Sequence, residues 1–271
     1  MFFGYKSVIQ FVFFKRIIDL DSLFELYFRK YLTENQGKFS EDQLEDKVGE
    51  IYRQFGNEPL KELGGKSPRE YYSEKSDAEL VGELETSVKN SLPVSDFLCE
   101  ELENRKGTFK YLIKFVDDAE NDELATYAVN FLRYGDEVAS ACPAFLKMLL
   151  GGKCGDSLAE TVTEVLSEHA ETVVESAVKA FDGANDKIKA YLAEILSCAP
   201  QSDGVYEILK NEFLAHPKDS ALYGGYLAKY GDERAIDVIN SFICRGGINA
   251  VDYKELKMAV EELGGEAAPR H

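Results

Sequence analysis

Lys147, Lys179 and Lys210 stand 32 and 31 residues apart, and Arg245 falls near the next place in the same progression. Cations on one regular spacing form a column if the chain folds into stacked units of that length. A column of positive charge in an acidic protein suits an acidic peptide segment of another protein. The plainer reading of the same residues is a solvated helix face, with Glu175 four residues before Lys179 and Glu207 near Lys210. Each such pair is worth about 0.2–0.5 kcal/mol.

Other residues capable of chemistry are sparse. The histidines are His169, His216 and His271, none three or four residues from another, so no helical His pair is present to start a metal site. His169 follows Glu168 at the expected end of a helix, where an imidazolium favours the C-terminal dipole. Cysteines occur at 99, 142, 154, 198 and 244, an odd number without a Cys-x-x-Cys pair. They read as reduced, mostly buried small hydrophobes and point to a reducing compartment, the cytoplasm. No Gly-x-Ser-x-Gly, Walker-type or dinucleotide glycine pattern follows a strand signal. With 49 Asp and Glu in the chain, a pair such as Asp117-Asp118 reads as solvated surface rather than as a general acid and base. The expectation is a protein without catalysis, metal or cofactor.

Composition narrows the partner. The 271 residues carry 31 Lys and Arg against 49 Asp and Glu, a formal charge of −18. Most of the excess lies after residue 92, where 18 basic residues face 32 acidic ones. Such a surface repels phosphate, so nucleic acid is not expected. The apolar run Val8–Phe14, interrupted by Gln10, is too short to span a bilayer, and Lys15-Arg16 follow it where a signal peptide would have small residues. It reads as an N-terminal helix packing on the body, or as an extension upstream of the natural start. No membrane partner is expected.

Helix signals recur throughout. Leu23, Leu26, Tyr27, Phe28 and Tyr31 share a face. Capping boxes stand at Ser40/Gln43, Ser67/Glu70 and Ser76/Glu79, the second with Pro68 in the first helical position. From residue 93 the apolar pattern comes in pairs. One series of helices carries Leu124/Ala128/Phe131/Leu132, Leu158/Val162/Val165/Leu166, Ile188/Tyr191/Leu192/Ile195/Leu196 and Leu222/Tyr226/Leu227. Between them lie Phe145/Leu146/Leu149, Val174/Ala177/Val178/Phe181, Val205/Ile208/Leu209/Phe213 and Ile236/Ile239/Phe242/Ile243. A more degenerate pair spans 95–116 and a closing helix spans 251–263. Asn121, Asp156 and Asn185 are candidate caps.

The period is marked most clearly by Tyr-Gly-Asp-Glu, which occurs at 134–137 and again 96 residues later at 230–233. Gly135 and Gly231 are expected to end helices at positive φ, with Asp136 and Asp232 capping the next. A unit of this size cannot bury its apolar face alone, so the units must stack. The run Leu227–Ile239 resembles the HEAT-repeat family, and the resemblance extends over about two-thirds of the chain. It implies an all-α protein, an α-α superhelix of about five helical hairpins over residues 93–271, with residues 1–92 as an N-terminal helical cap. Armadillo-like and tetratricopeptide-like stacking are the alternatives, although the chain lacks the tryptophan of the latter. The resemblance further implies a protein–protein scaffold binding along a concave surface lined by the second helix of each pair, where Lys147, Lys179, Lys210 and Arg245 would stand.

Two other readings stay open. HEAT-like bilin lyases imply an accessory protein that holds a small cofactor, with Tyr191 and Cys198 as the residues to serve it. Pro59–Arg69 is similar to the Pro-x-x-x-Leu-Gly-Gly-Lys-Ser/Thr-Pro-Arg loop of some antitoxins, which implies a toxin–antitoxin regulator.

Overall fold

The computed structural model describes residues 18–118 and 121–270; the apolar run Val8–Phe14 lies outside them. Among the described residues the regular elements are helices, with one isolated bridge between Leu60 and Lys66. The chain divides into two compact units, residues 1–105 and 106–271.

The first unit holds α1 (Leu20–Glu34), α2 (Glu41–Phe55), α3 (Pro68–Ser73), α4 (Asp77–Lys89) and α5 (Asp96–Glu103). All three predicted capping boxes form, at Ser40/Gln43, Ser67/Glu70 and Ser76/Glu79, so α2, α3 and α4 begin where local chemistry dictates. The helices are joined through an aromatic cluster. Phe24 meets Tyr52 edge-on at 4.8 Å, Tyr52 stacks on Phe97 at 4.9 Å, and Phe55 and Phe97 are fully buried. Rings this large and this dry dominate the apolar burial of a small unit.

The second unit is a succession of helices: α6 (Phe109–Asp118), α7 (Asp122–Arg133), α8 (Val138–Leu150), α9 (Asp156–Glu168), α10 (Val174–Phe181), α11 (Asp186–Leu196), α12 (Asp203–Ala215), α13 (Ser220–Tyr230), α14 (Arg234–Cys244) and α15 (Ala250–Glu262). Extensive packing joins neighbours in sequence or helices one apart: α7 to α9, α9 to α11, α11 to α13 and α13 to α15, with α6 on α8 at the start. The apolar faces read from the sequence are the buried ones in most helices, including Leu158, Val162, Val165 and Leu166 of α9 and Phe145, Leu146 and Leu149 of α8.

In α13 the face differs from expectation. Leu222 is 51% exposed, while Tyr223, Gly224 and Leu227 are buried. The cause is close approach: a Cβ on Gly224 would lie 2.5 Å from Cδ2 of Leu256 on α15, so the helix turns its glycine, not its leucine, toward the neighbour.

The hairpin corners are only partly as the sequence suggests. Asn121 accepts from Leu124 N–H at 2.9 Å and Asn185 from Ile188 N–H at 3.1 Å, as expected of caps. Asp156 does not cap α9, which has no side-chain cap; its carboxylate pairs with Lys187, and Asp122 of α7 accepts from the N–H of the N-cap residue Gly155 at 2.7 Å. Gly231 takes φ +77° and ends α13, and Asp232 accepts from Arg234 N–H at 3.0 Å. Gly135 does not adopt positive φ; Tyr134 ends α7, and Asp136 pairs with Lys106 instead of capping.

The two copies of Tyr-Gly-Asp-Glu therefore differ in role. Tyr230 is buried, its hydroxyl donating to the Ser202 carbonyl at 3.0 Å and accepting from Ser202 N–H, while Gln201 donates to the Gly231 carbonyl at 2.9 Å. Tyr134 is 77% exposed. Ninety-six residues before Gln201-Ser202 the chain has Arg105-Lys106, so the glutamine whose amide reaches the second copy's glycine carbonyl has no counterpart at the first.

Because Asp122 of α7 accepts from the N–H that precedes α9, its removal reports on the packing of α7 against α9. Asp122→Ala is expected to destabilise the 106–271 unit by about 1 kcal/mol, the usual net worth of one hydrogen bond, and to lower its melting temperature by roughly 2–4 °C. Asp122→Asn keeps the acceptor and should melt near the parent. Thermal unfolding followed by circular dichroism makes the comparison.

Candidate functional site

The four cations singled out by spacing lie on or just beyond even-numbered helices, in different circumstances: Lys147 and Lys179 in a last turn, Lys210 in the interior of α12, and Arg245 at a C-cap. Lys147, its side chain 72% exposed, pairs with Asp117 of α6 at 3.0 Å. Lys210 is the most enclosed, bonded to Glu207 at 2.6 Å and 5.5 Å from the Tyr206 ring centroid. Lys179 is exposed in the last turn of α10, and the expected support from Glu175 does not form. Arg245 is exposed at the C-cap of α14. Among the described residues neither Lys179 nor Arg245 has an acidic partner.

Their register follows from the buried residues. Phe145 and Leu149 of α8 correspond to Ala177 and Phe181 of α10, to Leu209 and Phe213 of α12, and to Ile239 and Ile243 of α14. On that alignment Lys147 and Lys179 share a place, followed by Asn211 and Ser241. Lys210 stands one residue earlier, a turn of roughly 100° about the helix, where α14 carries Asn240. Arg245 lies beyond the helix. Equal spacing in the chain thus brings two of the four to one place, because connections between helices differ in length.

Three of the five thiols are unsuited to nucleophilic work. Cys142 and Cys154 are buried and Cys99 partly so; burial pushes the Cys99 thiol up to about 11, with Asp96 adding to the shift, and raises those of Cys142 and Cys154. A thiol so shifted holds little thiolate near neutrality. Cys244 is exposed, against the expectation of burial. His169 forms the C-cap of α9. His216 stacks on Tyr223 at 4.8 Å, its Nδ1 3.0 Å from the Glu212 carbonyl. No group of three His, Cys, Asp or Glu among the described residues is arranged to hold a metal ion.

Tyr191 does line a pocket, with Leu149, Gly152, Cys154, Asn185, Lys187 and others, but Cys198 does not. The volume is about 50 Å³, room for a few waters.

The glycine-containing loop directs its charges inward to its own unit. Gly64 and Gly65 take φ +70° and +87°, Lys66 pairs with Glu74, and Arg69 pairs with Glu100 while its guanidinium lies 5.3 Å from the Phe97 centroid.

Two polar arrangements were not read from the sequence. One is the buried pair of Lys75 and Glu83, 2.6 Å apart with side chains 8% and 11% exposed. Lys75 also lies 4.1 Å from the Tyr71 centroid. Burial alone would lower its pKa, but hydrogen bonds to Glu83 and Tyr71 and their charges outweigh it, so the ammonium sits above its ordinary value. The other is Asn240 with the C-terminal residues, where the sequence signalled only the end of a helix at Gly264-Gly265.

Comparison with protein-family models, with curated proteins and with solved structures finds no match. What the site does rests on its residues.

The Lys75–Glu83 pair has a testable pH signature. With the folded pKa above the unfolded value of 10.5, its contribution is complete below that value and is lost as pH rises through the folded one. Burial likewise holds the Tyr72 phenol above 10.0, so the unfolded chain releases its protons first and stability falls with the same sign. Glu83→Leu strands a buried ammonium and should destabilise by about 3–5 kcal/mol. Urea unfolding from neutral pH to beyond 10.5 should show a gentler alkaline loss in the variant than in the parent.

Proposed function

We propose that residues 106–271 form a HEAT-like α-α superhelix, and that the protein is a non-catalytic scaffold holding another protein along the concave surface of that array. The order of packing carries the reading: α7, α9, α11, α13 and α15 follow one another in a row, and most helices also meet their neighbours in sequence. A row of this kind repeats one helical layer along one side and so offers a long surface to an extended partner.

The partner's chemistry follows from charge. In a chain of net charge −18, acids are plentiful enough to neutralise any cation, yet Lys179 and Arg245 lack one among the described residues. Lys147 shares the place of Lys179 and releases Asp117 at little expense, because exposed pairs are worth roughly 0–1 kcal/mol. An acidic segment running along the even-numbered helices would meet these side chains in turn. A small cofactor would need a cavity of roughly 300 Å³ or more, several times the pocket beside Tyr191.

The test is a comparison of two baits in native lysate, the parent and a chain carrying Lys147→Glu, Lys179→Glu, Lys210→Glu and Arg245→Glu. Proteins enriched by the parent should fall by about tenfold or more on the variant, with acidic segments among them. The same partners on both baits would remove the cation face. A small molecule retained by the parent in native mass spectrometry, with no protein partner, would remove the scaffold reading.

A further inference from the structure

The register that brings Lys147 and Lys179 to one place reaches back to α6. Leu112 and Val116, the buried residues of α6, stand to that helix as Phe145 and Leu149 stand to α8. Two residues after the first of each pair come Lys114 and Lys147, 33 positions apart, and Lys179 follows 32 later. All three are exposed. Helix α6 packs directly on α8, so Lys114 and Lys147 stand on touching helices, and the Asp117–Lys147 pair crosses between them.

Lys114 has acids close by and takes none of them. Asp117 and Asp118 lie within a turn of it, yet Asp117 bonds to Lys147, and among the described residues neither Lys114 nor Lys110 has an acidic partner. Both ammonium groups lie instead beside the half-buried ring of Tyr111, Nζ of Lys110 at 4.9 Å and of Lys114 at 5.6 Å from its centroid. Like charges one turn apart on a helix repel each other, and an anion set beside them relieves the repulsion. In a chain of net charge −18, α6 and α8 thus offer a local surface that attracts what the rest of the molecule repels.

We infer that Lys110, Lys114, Lys147 and Lys179 form one docking surface for an extended segment of another protein that carries an acidic residue at every third position. The inference rests on the scaffold reading and narrows it, adding α6 and leaving out Lys210 and Arg245, which are off this register. The spacing follows from two lengths. Packed helices lie about 8–10 Å apart. A segment in the polyproline II form advances about 9 Å in three residues and returns every third side chain to the same side. Such a segment sets one carboxylate over each helix in turn, and Lys147 exchanges Asp117 for it, since an exposed pair is weakly held.

Two fluorescent peptides of equal composition are the probes: Asp-Pro-Pro-Asp-Pro-Pro-Asp, which its prolines hold in the three-residue turn, and Asp-Asp-Asp-Pro-Pro-Pro-Pro. The readout is anisotropy against the full chain at low ionic strength. The parent should bind the spaced peptide at least threefold more tightly than the clustered one. Lys114→Glu should weaken the spaced peptide tenfold or more, while Lys254→Glu, the same change of charge on α15, should leave it within twofold. No binding of the spaced peptide, no preference between the two, or equal losses from Lys114→Glu and Lys254→Glu overturns the inference. If Lys114→Glu binds like the parent while the four-site variant loses its partners in lysate, this inference fails and the scaffold reading stands; partners unchanged on the four-site variant are the separate failure of that reading. A parent dimer that Lys114→Glu abolishes would put a second copy on this surface and exclude the separate partner.

Discussion

A hairpin of two short helices has apolar residues on more sides than its own two helices can cover. Between residues 106 and 271 helices cover that surface by lying against neighbours from other hairpins, so that α9, packed against α7, α8 and α11, buries Leu158, Val162 and Val165. At roughly 25 cal/mol per Å² of apolar surface, this shared burial is the dominant favourable term, and it exists only while the neighbour is in place. Everything else in the unit is arranged around that dependence.

The polar bonds follow the same period. Arg133 of α7 reaches Glu164 and Glu168 of α9, at 2.9 and 2.7 Å; Tyr226 of α13 reaches Glu194 of α11; Arg234 of α14 reaches Asp203 of α12 at 2.9 Å. Partners in these bonds are 31 to 35 residues apart. Exposed ion pairs add little energy individually, but they fix the rotation of one hairpin on the next, which apolar contact leaves loosely specified. The bond from Gly155 N–H to Asp122 does so most directly, since it joins α7 to the start of α9 through backbone and weakens steeply away from linear geometry.

What could be read from the sequence was what depends on residues close in the chain. Ser40, Ser67 and Ser76 find their partners three residues on, and all three boxes form. The existence of each helix, including α5, α6 and α15, follows from local periodicity in the same way. What could not be read was what depends on a neighbour's position. Asp156 looks like a cap, and pairs instead with Lys187 of α11. Tyr134 and Tyr230 share a tetrapeptide, and only one has a receptive corner before it. Leu222 looks buried, and the glycine beside it turns inward. For the candidate site, the spacing of Lys147 and Lys179 survived into the structure, but Lys210 is rotated out of line by a difference in connection length. Asn240 carried no signal, because its partners are backbone groups of Glu266 and Ala268 with no distinctive side chains.

The central claim is that stability in residues 106–271 passes from hairpin to hairpin and not through one common core. Hydrogen exchange of the full chain carrying Leu192→Ala tests it most directly, because Leu192 is fully buried in α11 at the middle of the row. The account expects opening free energies to fall in α9 through α13, by up to about 2–5 kcal/mol for such a cavity, while α6 and α15 keep theirs. An equal fall in every helix from α6 to α15 would mean a single cooperative core and would contradict it.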